Sequence, residues 1–165
     1  MMTEIYFKRP VIWDYSIGII FSLFTIFLFA RSILILPKEE YILSVASDLS
    51  MVALTLSGFI LTLLTVFITF KSGSKITKNT NNEKATLFEL FFATDLYFQT
   101  VKHFKNCVKS LIFIAVFGYS LKIALNENNY CYIYFYNVFS LIIIVLTLWR
   151  SLLILSKIIK MQNND

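Results

Sequence analysis

Charge is what this chain has least of. Asp, Glu, Lys and Arg make up 15% of its 165 residues, against about a quarter in a soluble domain. That excludes an ordinary water-facing surface. Cysteine is scarce too, with only Cys107 and Cys131. A helix running from 107 to 125 would hold them about 27 Å apart, too far for a disulfide. They read as small apolar side chains. His103 is the single histidine. There is no phosphate-binding glycine loop, no Cys/His metal spacing, no nucleophile elbow and no paired carboxylates at a helical spacing. The sequence therefore offers no catalytic residues, metal site or cofactor site, and it reads as a non-enzyme. No internal repeat is evident, which disfavours a two-half transporter.

What is present is apolar residues in long blocks. The chain is 58% hydrophobic with a mean hydropathy of +0.72, which places it in the membrane class. A spanning helix needs about 20 mostly apolar residues. Four stretches qualify: 11–36, 44–70, 106–125 and 131–156. The predicted fold is all-α, a single membrane domain of four transmembrane helices with a cytoplasmic helical extension, 71–105, between the second and third. The first stretch is too long for a signal-peptide core and lacks a clean small-residue cleavage site, so it is read as a retained span.

Basic residues fix the expected direction. One side receives Lys8, Arg9, Lys71, Lys75, Lys78, Lys84, Lys102, Lys105, Lys109, Lys157 and Lys160. The other receives Lys38 in its loops, beside Glu39, Glu40 and Glu127. Both termini and the 71–105 segment are thus expected in the cytoplasm. Tyr6, Phe7, Trp13 and Tyr15, then Tyr130, Tyr132, Tyr134 and Tyr136, then Trp149 fit interfacial aromatic belts.

Residues 71–82, KSGSKITKNTNN, read as a flexible linker. Thr80 and Glu83 have capping-box spacing. From 83 the apolar residues recur at helical intervals, and no Gly or Pro interrupts 83–117. One unbroken helix is expected to run into span three. Lys102, Lys105 and Lys109 share a face of it. Two readings stand for that face: headgroup contact with anionic membrane lipids, or a basic ring that binds a nucleotide or nucleic acid.

Ionisable residues inside spans are costly and face protein or water. Depth matching suggests two intramembrane pairs, Arg31 with Asp48 and Asp14 with Arg150. Span two also carries a stripe at alternating spacings of three and four: Asp48, Met51, Thr55, Gly58, Thr62, Thr65 and Thr69. Small residues and hydroxyls in membrane helices serve close packing. The same stripe could line a water-filled path. One four-span copy is too small to enclose a path, so that reading requires a homo-oligomer.

The stretch LSGFILTLLTVFITF (residues 56–70), followed by a basic linker and an aromatic helix entering span three, resembles small four-span membrane proteins of bacterial anti-phage defence systems. These include the Hailong membrane channel effector and the membrane component of Kiwa. The resemblance covers about half the chain. The first likeness implies an inner-membrane ion channel, a tetramer, held shut by a cytoplasmic DNA oligomer or cyclic nucleotide from a partner nucleotidyltransferase. Lys71, Lys75, Lys78, Lys84, Lys102, Lys105 and Lys109 would then be the polyanion contacts. The second implies a membrane sensor joined to a cytoplasmic DNA-binding protein.

Overall fold

A computed structural model describes residues 9–77, 91–92, 94–125 and 129–162. It is all-helical among these residues. The order is α1 (Pro10–Ala30), α2 (Glu39–Thr77), α3 (Asp95–Ala124) and α4 (Tyr130–Gln162). All four are long and apolar enough to cross a membrane. Their outward faces carry large exposed apolar side chains such as Ile20, Phe24, Phe59, Phe113 and Trp149. A water-soluble bundle would bury such faces; a membrane protein presents them to hydrocarbon.

Helix boundaries differ from expectation at three places. Span one was expected to run to Pro37, but α1 ends at Ala30. Ser32 adopts φ 57°, and its N–H and that of Ile33 close onto the carbonyls of Phe29 and Leu28 at 2.9 and 3.2 Å. This is a Schellman termination, in which a left-handed residue reverses the chain and satisfies the last carbonyls. The expected linker begins too early, because α2 stays helical through Thr77. The unbroken helix expected over 83–117 is broken at Thr94, which is extended (φ −99°, ψ 166°). The Thr94 hydroxyl donates to the Phe91 carbonyl at 3.0 Å, and Asp95 follows in the first turn of α3. A Thr before an acidic first turn is a helix start. The Thr80–Glu83 capping box lies outside the described residues.

The helices pack as α2 with α3, α2 and α3 each with α4, and α1 with α4. The α2·α3 register is antiparallel. Ser47 meets Lys122, Ser50 meets Gly118, Phe67 stacks on Phe104 and Lys71 meets Tyr97. A Cβ on Gly118 would sit 2.5 Å from Ser50 Oγ and 3.2 Å from Tyr136, so only hydrogen fits where three helices converge. The apolar core centres on Ala53, Ile60, Phe104, Leu111, Ile114 and Ile143. With 39 residues, α2 is about 58 Å long, roughly twice a hydrocarbon core. It therefore projects beyond a bilayer at the end away from the short α1–α2 connection.

Candidate functional site

The α2 stripe is placed on the outside of the bundle. Asp48, Met51, Thr55, Gly58, Thr62, Thr65 and Thr69 are all exposed, and nothing lies within 4 Å of a Cβ built on Gly58. The opposite face of α2 is the buried one, through Ala46, Ser50, Ala53, Ser57, Ile60, Leu64 and Phe67. Among the described residues, then, no helix covers the stripe. Thr55, Thr62, Thr65 and Thr69 each donate their hydroxyl hydrogen to the carbonyl four residues back, at 2.9–3.0 Å. That bond makes the hydroxyls inexpensive in lipid. It also fixes their chemistry, because a hydroxyl whose hydrogen points back along the helix offers outward only oxygen lone pairs. The exposed Asp48 carboxylate at one end adds to the same acceptor character.

Lys102, Lys105 and Lys109 are exposed on α3. By the α2·α3 register they lie level with Thr62, Thr65 and Thr69. At about 100° per residue, both rows project to the side of the α2·α3 seam opposite α4. The hydroxyl row and the lysine row are thus neighbours on one outer surface, which the sequence alone did not reveal.

Lys71 has a different setting from these lysines. It is half-buried, with its ammonium 4.0 and 3.8 Å from the ring centroids of Tyr97 and Phe98. Each such contact contributes about 0.5–2 kcal/mol. Lys71 therefore fastens α2 to the start of α3. Lys75 falls within the last turns of α2. Lys78 and Lys84 lie outside the described residues.

Of the two expected ion pairs, the structure brings one together. Arg150 Nη1 donates to Asp14 Oδ2 at 2.6 Å, with both side chains almost wholly buried. Arg150 Nη2 also donates to Cys107 Sγ at 3.3 Å. One guanidinium thus ties α1, α3 and α4 at a single point. Depth matching is sufficient here because the two groups lie on facing sides of packed helices. The Arg31–Asp48 pair does not form. Arg31 packs over the Phe27 ring at 5.3 Å, while Asp48 points outward on α2. Arg31 follows the last turn of α1, in the connection to α2. Equal depth does not give equal direction around the axis. Both cysteines are free thiols.

Sequence reading also missed a second polar row. On α4, Asn137, Ser140, Ile144, Thr147 and Ser151 keep the same alternating spacing and are all buried. The Asn137 amide donates to the Ile42 carbonyl at 2.9 Å, and the Tyr136 hydroxyl donates to the Ile114 carbonyl. Lys122 donates to Ser47 Oγ at 2.6 Å. The spacing signal for the α4 row was as plain as that for α2, with one Ile in place of a polar residue. Among the described residues, no group of three or more His, Cys, Asp or Glu is placed to hold a metal ion. Comparison of the chain with protein-family models, with curated proteins and with solved structures found no match.

Proposed function

We propose that the chain is a homo-oligomeric protein of the bacterial inner membrane, with both termini in the cytoplasm, that conducts ions along a path between copies. The exposed α2 stripe is the observation that carries this reading. A row of hydroxyls, a glycine and a carboxylate on an otherwise apolar outer face is matched best by another copy of itself around enclosed water. Outward lone pairs and the Asp48 carboxylate suit cations. The adjoining Lys102, Lys105 and Lys109 would gather a cytoplasmic polyanion, a DNA oligomer or nucleotide, that blocks the path at its inner mouth. The setting in anti-phage defence rests on the resemblance of residues 56–70 and the basic segment after them.

Purified protein in planar bilayers tests the reading. Conductance is expected, and changing Thr62 or Thr65 to Leu should reduce it without unfolding the helices. A silent bilayer, with wild type confirmed as inserted, would sink the channel. A second reading has its own support: every stripe threonine is already satisfied within α2, so the face can also pack dry. The oligomer would then be a non-conducting sensor that recruits a cytoplasmic nucleic-acid-binding partner. Under that reading, Thr62→Leu would change thermal stability and leave conductance at zero.

A further inference from the structure

The threonines of the α2 stripe each give their hydroxyl hydrogen to the carbonyl four residues back. The buried α4 row has the same spacing but not the same bonding. Thr147 and Ser140 are 0% exposed. Among the described residues, Thr147 Oγ1, Ser140 Oγ and Asn137 Oδ1 have no hydrogen-bond partner. The neighbouring Tyr136 hydroxyl has already given its hydrogen to the Ile114 carbonyl. Leaving buried polar atoms unpaired is costly, and native proteins satisfy them with protein groups or ordered water.

Helix register shows what stands near Thr147. The bond from Arg150 to Cys107 sets residue 150 of α4 level with residue 107 of α3. The Tyr136–Ile114 bond shows the two helices to be antiparallel. One turn outward, Thr147 and Ser110 keep the sides of their helices that Arg150 and Cys107 occupy, and Ser110 is buried. Because Ser50 meets Gly118, Ser57 on α2 comes level with Leu111, next to Ser110, and it is buried too. Three helices thus bring hydroxyls to one depth, yet no hydrogen bond joins Thr147 to the others. A polar gap wider than a hydrogen bond is where a water bridges. One turn inward lies the buried Asp14–Arg150 pair, and ionisable groups inside a membrane face protein or water.

We infer that each subunit binds water in its interior, at Thr147 between α3 and α4 and on along Ser140 to Asn137, and that this water solvates the Asp14–Arg150 pair. Other occupants fit the groups less well. A metal cation at Thr147 would stand one turn from the Arg150 guanidinium, which repels it. An acyl chain would leave the hydroxyls unpaired. Folded proteins hold on the order of one buried water per 27 residues, about six for a chain of this length, so a few along this row are an ordinary number. The water belongs to the subunit and does not depend on conduction between copies.

The test is water-edited solid-state NMR of the full chain in vesicles of phosphatidylethanolamine and phosphatidylglycerol, with labelled serine and threonine. Thr25 on α1, exposed and bonded to the Phe21 carbonyl at 2.9 Å, is the lipid-facing reference. Thr147 should take up water magnetisation several-fold faster than Thr25; equal rates would overturn the site. Thr147→Val should lower the Ser110 water signal about twofold, since a buried water needs about two to four polar partners and this one loses one. The same variant should lower the thermal unfolding midpoint. A dry, unpaired hydroxyl gives the opposite sign, so a raised midpoint would also overturn the site. If Thr147→Val does not fold, Ser140→Ala and the wild-type comparison still report. Thr62→Leu on the α2 stripe should leave the Thr147 signal unchanged; its loss there would assign the water to a path between copies and refute the interior site.

Discussion

Removing one partner of the Asp14–Arg150 pair should be far more damaging than removing both. The guanidinium and carboxylate meet at 2.6 Å with side chains 0% and 2% exposed. Two unit charges about 4 Å apart attract by roughly 4 kcal/mol at an effective dielectric of 20. Desolvation of both groups offsets much of that in the intact protein. Asp14→Ala removes the buried carboxylate that faces Arg150, and breaking a buried ion pair from one side costs about 3–5 kcal/mol. Arg150→Met removes the guanidinium that faces the Asp14 carboxylate, with a cost of the same order. The double variant Asp14→Leu/Arg150→Met removes both charges and restores apolar contact. It should lie within about 1–2 kcal/mol of wild type, or be more stable. Reversible unfolding in mixed micelles, followed by circular dichroism, gives all four corners of the cycle. A coupling of at least about 2 kcal/mol is expected. If Asp14→Ala costs under roughly 1 kcal/mol, then Arg150 reaches water by snorkelling, and its role as the tie between α1, α3 and α4 is wrong.

Three further outcomes follow from the packing. Gly118→Ala should destabilise by about 1–3 kcal/mol through overpacking, since its Cβ would stand 2.5 Å from Ser50 Oγ; Ser50→Ala in the same chain should recover part of the loss in thermal unfolding. Gly58→Ala meets nothing within 4 Å among the described residues, so helix propensity should stabilise the subunit by up to about 1 kcal/mol; a bulkier Gly58→Leu should shift the oligomer toward smaller species by light scattering if copies pack there, and leave it unchanged if they do not. Ser32→Gly should raise stability by about 1 kcal/mol, read as a higher midpoint, because a left-handed residue costs a non-glycine about that much and Ser32 has φ 57°.

Hydropathy and charge asymmetry were enough to read four membrane-length helices, because burial in lipid is a demand on each segment's own composition. The Asp14–Arg150 pair was also legible, since helical rise converts residue number into depth. Depth says nothing about direction, and there the sequence ran out. It paired Arg31 with Asp48, but the turn at Ser32 ends α1 early and Asp48 faces away. The break at Thr94 was written in the Thr-Asp dipeptide, yet helical periodicity on both sides of it masked the signal. The two polar rows show the division most clearly. Residues 48–69 of α2 and 137–151 of α4 share one spacing, and spacing fixes only that each row lies along one side of its helix. Neighbouring helices decide which side is covered. Gly118, Ser50 and Phe104 draw the other face of α2 inward and leave its hydroxyls outside, while Arg150 and Asn137 draw the α4 row into the core. That choice depends on contacts between residues far apart in sequence, so only the tertiary structure could make it.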